Sequence, residues 1–254
     1  MATTVYGPNN LSCSDAEWQV RTDLSAAYHL ASLQGFNEAS TNDFTATVPG
    51  EPGRYLVFSF GSAWDETTAS SLLKVDKDGN VINGKGKCDT AGFVINRFLH
   101  EGRSRATAAV LHTHQTSSSA LATLASEQFP KLHATNSYFQ DEIVIDDECN
   151  GQYDAEVEGK RLSGLIGSSR VLVQRDHGPY VAAESVAMAW WYLYHLEKIA
   201  NVAVAALGTG KQLHAAAQQE MQMGNEIRTK ELAEANFEAA KRSLLKGPHS
   251  HFLL

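Results

Sequence analysis

Two histidines two positions apart, His112 and His114, end the segment ATAAVLHTH over 106–114. The run is apolar and flanked by polar residues, as a buried strand would be. Side chains at i and i+2 of a strand leave from one face, so both imidazoles project together. Two imidazoles so placed can hold one divalent metal, and a third ligand from another strand end leaves a coordination position open for substrate. His177 is the candidate: it follows the apolar run RVLVQ at 170–174 and precedes Gly178, where backbone can approach closely. Asp176 could hold an imidazole tautomer from behind.

An HxH pair alone is usually coincidence. His249 and His251 form a second one, read here as chance in a frayed terminus. His29, His100, His133 and His195 fall in helical or loop contexts and read as structural or solvated.

The elements that must position the histidines follow from patterning. Residues 14–35 predict a helix, with Ser14 and Glu17 spaced as a capping box and Gly35 as its stop. Strands are expected at 43–49 and 54–60, and a short helix at 67–73. A hairpin is expected around Asp78-Gly79, a helix over 89–101 and another over 117–127. Strands at 143–145 and 170–174 precede a turn at Gly178-Pro179 and a long amphipathic helix over 183–206. A further helix over 211–244 carries a thin apolar face (Leu213, Ala216, Met221, Leu232, Phe237), too little for a core helix. It would pack across the domain or onto a neighbouring subunit. This mixed order fits a layered α/β sandwich, and no GxGxxG or P-loop motif is present.

Bulk composition narrows the function classes. The 254 residues are 43% hydrophobic and 20% charged, with a formal net charge of −8. That charge disfavours nucleic acid and anionic membrane as partners. Cys13, Cys88 and Cys149 are sparse and unpaired in spacing, so no disulfide framework is expected. The N-terminus lacks signal-peptide character, and the longest apolar stretch is broken by His195, Glu197, Lys198 and Asn201. A cytoplasmic protein is expected.

Five segments together resemble the class II aldolase/adducin family: GSAWDETTASSLLKVDKDG (61–79), AGFVINRFLH (91–100), AVLHTH (109–114), VQRDHG (173–178) and VAAESVAMAWWYLYHLE (181–197). The first is similar to the adducin-like branch. The resemblance implies a three-layer α/β/α sandwich around a mainly antiparallel sheet. It implies a family domain over 1–207, with 208–254 as a C-terminal helical arm. It also implies a divalent metal, zinc first and Fe(II) second, held by His112, His114 and His177. A homo-oligomer, tetramer or dimer, is implied too.

In the family's aldolases the metal stabilises an enediolate, and a glutamate before the HxH strand handles the proton. The resemblance puts that glutamate's position on Gly92 and the family's tyrosine acid on Ala134. Tyr138 is the nearest phenol. Asp43 stands where the family has a phosphate-binding asparagine, and Thr90 and Ala91 replace serines. A substrate other than a sugar phosphate follows, because the Asp43 charge would repel phosphate.

Asp89, at the start of the same helix, is the candidate substitute acid/base, with a plain N-cap as its alternative role. Asp65 and Glu66 read as structural hydrogen-bonders, Cys88 as a buried thiol, Tyr180 as packing, and Trp190 and Trp191 as core or interface anchors.

Three functions are then open. The first is a metal-dependent lyase acting on a small non-phosphorylated carbonyl or hydroxy acid through an enolate. The second is a non-haem Fe(II) oxygenase on the same fold, since imidazole suits several metals. The third is a non-catalytic, adducin-like interaction module.

Overall fold

Helix α1 (Asp15–Gln34) begins where the Ser14 side chain accepts the Glu17 N–H at 3.1 Å, and it ends at Gly35 with φ +67°. The computed structural model describes residues 6–39, 41–124, 129, 131–139, 141–148, 154–213 and 226–254. After α1 come β1 (Phe44–Thr47), β2 (Arg54–Val57), β3 (Leu73–Asp76), β4 (Val81–Asn83) and α2 (Thr90–Glu101). Then follow β5 (Ala109–His112), α3 (Thr116–Ala122), β6 (Ile143–Asp146) and α4 (Ala155–Ile166). The chain continues through β7 (Val171–Gln174), β8 (Pro179–Ala183), α5 (Val186–Leu207) and α6 (Glu226–Leu244).

The eight strands make one sheet in the order β4-β3-β2-β1-β5-β8-β7-β6. Every pairing is antiparallel except β6 with β7, which α4 joins as a crossover. Alternation splits the buried residues between two faces. Phe44, Ala46, Leu111, Val171 and Val181 pack with α1 and α5, and Val110, Leu172, Tyr180 and Ala182 pack with α2 and α4. The expected α/β/α sandwich is therefore the fold.

Four expectations need correction. Residues 179–183, expected as a turn leading straight into the long helix, form strand β8, and α5 begins only at Val186 after the Ser185 cap. Residues 67–73 do not form a helix. The Thr68 and Ser71 hydroxyls bond each other's backbone N–H (3.1 and 2.8 Å), and Ala69 and Ser70 donate to the Phe252 and Leu254 carbonyls. Those local bonds satisfy the groups a helix would have used.

The terminus is not frayed either. Pro248–Leu253 forms a 3-10 turn, Phe252 is fully buried, and His251 donates Nε2–H to the Asp65 carbonyl at 2.7 Å.

The last helix has more core character than its pattern suggested. Ala233, Phe237 and Leu244 join the main hydrophobic cluster, and buried Lys241 pairs with Asp23 at 2.6 Å. Of the expected apolar face, Ala216 and Met221 lie outside the described residues. No helix among the described residues is long and apolar enough to cross a membrane.

Phe252→Ala should cost about 3–5 kcal/mol, because it empties a closed site, and urea denaturation checks it. A second prediction concerns pH. His100 donates Nδ1–H to the Thr107 carbonyl (3.2 Å) and accepts at Nε2 from Thr45 (2.8 Å). Burial above all, with Arg103 adding, lowers its pKa from 6.5 to about 4. The folded state keeps the ring neutral while the unfolded chain takes up a proton below about 6.5. Its contribution is thus complete above that value and is lost as pH falls toward 4. Burial raises Asp43 to about 7 and Asp23 to about 6, and these act with the opposite sign. A His100→Gln comparison isolates the histidine: the fall in urea midpoint on acidification should be shallower in the variant.

Candidate metal centre

β5 lies between β1 and β8, so its last residue is held from both sides. The His112 N–H donates to the Asp43 carbonyl at 3.1 Å, and Tyr180 is its partner on β8. The Tyr180 ring stacks on the His112 ring, with centroids 3.9 Å apart and planes 10° from parallel. His114 lies just beyond the strand end. His177 sits in the tight turn between β7 and β8, where Asp176 takes φ +54°. A Cβ at Gly178 would overlap the Thr113 carbonyl oxygen, so glycine here lets the turn close onto β5.

The three expected ligands converge. One ring nitrogen of each of His112, His114 and His177 lies within 4.8 Å of the others, the one such metal-ligating cluster among the described residues. Their ring centroids are 4.5–5.0 Å apart.

The Nδ1 atom of each ring is already committed. His112 Nδ1–H donates to the Pro179 carbonyl at 3.0 Å, and His177 Nδ1–H donates to Gln174 Oε1 at 2.6 Å. Gln174 is oriented by its own Nε2, which donates to Glu158 at 2.8 Å and to Asp146 at 3.3 Å. Arg161 in turn clamps Asp146 with two bonds, at 2.7 and 2.6 Å. His114 Nδ1 pairs with the Glu38 carboxylate.

With Nδ1 protonated in a neutral ring, Nε2 keeps its lone pair. His114 Nε2 is buried without any hydrogen-bond partner. An orphaned acceptor of that kind is costly unless a cation meets it. Three imidazole lone pairs at this spacing fit a divalent transition metal. Burial, then the neighbouring His177 and His114, holds the His112 pKa well below its usual value, and burial with His114 takes His177 to about 4. These two rings are neutral at neutral pH, the form that binds a metal.

A cavity of about 550 Å³ opens over the cluster. Gly35, Asn37, Glu38, His114, Thr116, Ser119, Asp176 and His177 line it, two carboxylates and no Lys or Arg among them. The N-terminus of α3, at its rim, is already satisfied: Glu197 of α5 accepts the Ser117 and Ser118 N–H groups at 2.8 and 2.9 Å.

Of the other residues singled out in the sequence, Asp89, Cys88 and Glu66 take structural roles already read for them, while Tyr138 and Asp176 do not take theirs. Asp89 caps α2, its carboxylate accepting the Ala91 N–H at 3.2 Å. The Tyr138 ring packs on Trp191 and His195, with centroids 5.0 and 5.6 Å away, and is not brought to the histidines. Exposed Asp176 does not hold the His177 tautomer; Gln174 does. Cys88 is buried, its thiol pushed up to about 12 by burial and by Asp43 and Asp89, so it is inert. Glu66 accepts the Ala63 N–H at 3.0 Å, a structural role.

Glu38 and Gln174 escaped the sequence reading. Asp43, first read as a departure in a phosphate turn, projects toward α2, where Asn96 donates to its Oδ2 at 2.9 Å. Burial, then the Asp89 charge, raises the Asp43 carboxyl to about 7.

Comparisons with known proteins agree with this geometry. The profile of the Class II Aldolase and Adducin N-terminal domain matches residues 22–204. A Caulobacter vibrioides protein named for the class 2 aldolases is 30% identical over 203 residues, 78% of this chain and 76% of that one. Human beta-adducin is 26% identical over 251 residues, which is 96% of this chain but 34% of the adducin. A crystal structure of an aldolase II superfamily protein from Pseudomonas syringae superposes with a TM-score of 0.83 at 28% identity, covering 95% of this chain and 98% of that one. An L-fuculose 1-phosphate aldolase from Glaciozyma antarctica shares the fold, with a TM-score of 0.77 at 20% identity over 94% and 95% of the two chains. With its profile match, its sheet order and its convergent histidines, this chain belongs to the class II aldolase/adducin family.

Proposed function

We propose that this chain is a metal-dependent lyase of the class II aldolase type, acting on a small, non-phosphorylated carbonyl or hydroxy-acid substrate. One observation carries the reading: three imidazoles converge with each Nδ1 tied to an acceptor. A divalent ion held there, zinc ahead of Fe(II), would serve as a Lewis acid for a substrate oxygen. His112, His114 and His177 would hold it, while Pro179, Glu38 and Gln174 keep the rings aimed. The cavity lining supports the substrate class, since Glu38 and Asp176 disfavour a phosphate and no cation in the lining attracts one.

We take 1–207 as the family domain and 208–254 as an arm packed across it, which the Lys241–Asp23 ion pair supports. A homo-oligomer is consistent with apolar surface at Leu33, Val202, Val204 and Leu207.

A second reading, a non-catalytic interaction module, is favoured by the match to beta-adducin along nearly the whole chain. Metal binding with no turnover on panels of hydroxy acids and keto acids would select it.

The lyase reading predicts one zinc per chain by elemental analysis, loss of that zinc in His112→Ala, and loss of turnover with it. A metal-free active protein, or His112→Ala with unchanged activity, would sink it. Gln174→Ala should weaken zinc binding by about 10–100-fold, read by competition with a chromophoric chelator.

A further inference from the structure

Helix α2 carries a glycine in its first turn, Gly92, at the position where the family resemblance leads one to expect a carboxylate. Glycine within a helix costs about 1 kcal/mol relative to alanine, and this one has no left-handed φ to justify it. What lies over it is the Asp43 side chain. A Cβ built on Gly92 would sit 3.4 Å from Asp43 Oδ1 and 3.5 Å from both its Cγ and its Oδ2. An alanine would just touch the carboxyl group, and any longer acid at 92 would compete for the same volume.

Asp43 reaches that volume from the sheet. The β1–β5 register, Phe44 opposite Leu111, continues to Asp43 opposite His112. Residues directly opposed in an antiparallel pair point to one face. Asp43 and His112 therefore share the face that α2 covers, and a 3.1 Å backbone bond from the His112 N–H to the Asp43 carbonyl holds the two residues side by side. Asn96, fully buried on α2, donates to Oδ2 at 2.9 Å and anchors the carboxylate. The residue as a whole is half-buried.

Resting on the lyase reading above, we propose that Asp43 is the catalytic carboxylate of this site, delivered from β1 instead of α2, with Gly92 as the vacancy that admits it. Its task is to take the proton from the carbon next to the substrate carbonyl. The C–H bond breaks, its electron pair moves through the carbon framework onto the carbonyl oxygen, and the proton passes to a carboxylate oxygen of Asp43. Return of a proton from the same oxygen reverses the step. Asp89 stays a helix cap.

The test uses zinc-loaded, full-length protein and dihydroxyacetone in D2O, with loss of the α-C–H signal followed by proton NMR. Exchange needs only the proton step, so the complete substrate need not be known. Wild-type protein is expected to exchange. Asp43→Asn should fall by about 100-fold or more with zinc content unchanged, while Asp89→Asn stays near wild type. Asp43→Ala with Gly92→Glu should recover exchange relative to Asp43→Ala alone.

A second readout is independent of turnover. Gly92→Glu alone should lower the thermal midpoint, because it sets two carboxylates in one volume, and the drop should shrink in the Asp43→Ala background. Asp43→Asn exchanging at the wild-type rate, or a Gly92→Glu cost indifferent to Asp43, overturns the proposal and leaves the lyase reading intact. No exchange by zinc-loaded wild type overturns both.

Discussion

The site depends on one strand being paired on both edges. β5 takes β1 on one side and β8 on the other, and both partners reach its last residue. His112 has its N–H on the Asp43 carbonyl, its ring Nδ1–H on the Pro179 carbonyl, and its ring face on Tyr180. Position and tautomer are set by backbone groups that no side-chain rotation can withdraw, and the stacked Tyr180 ring sets the tilt. The same Pro179 carbonyl accepts the Thr113 N–H at 3.3 Å, which ties the start of β8 to the end of β5. The turn before it must then present His177 against His114, and Gly178 removes the atom that would prevent this.

Behind the imidazoles stands a layer of oxygen acceptors. Glu38 holds His114, and Gln174 holds His177 while itself held by Glu158 and Asp146. Arg161 closes that chain on α4. Such partners fix the ring orientation and raise the basicity of the ligating nitrogens. They also bring negative charge toward the centre, which suits a dication and disfavours an anionic substrate tail. Burial works in the same direction, since it keeps His112 and His177 unprotonated.

The histidines were legible because their geometry is local. HxH at a strand end and DHG in a tight turn each suggest a direction, and the family resemblance set them apart from the second HxH at 249–251. Most of the sheet was legible from alternation and turn residues, but β8 was not, because its PYVAA run is buried at every position and does not alternate. What escaped depends on segments distant in sequence. Gln174 looked like the last residue of a strand, and only the turn geometry points its amide at His177. Glu38 sits in a loop whose approach to His114 spans 76 positions. Asp43 could be seen as a departure from a family pattern, but its neighbour Gly92 is 49 residues away and meets it only when α2 crosses β1. The tail was misread because Phe252 has no partner in its own vicinity, and its pocket is built by α1 and the 67–72 turn. The 67–73 segment is rich in Thr and Ser, whose hydroxyls bond the local backbone in place of a helix.

The most direct test of the central claim is anomalous diffraction from crystals grown with zinc, recorded on both sides of the zinc edge. The account predicts one strong peak per chain, about 2.0–2.1 Å from one nitrogen of each of His112, His114 and His177, with the cavity side open to solvent or ligand. A peak at His249 and His251 instead, or none at the three histidines, would contradict it.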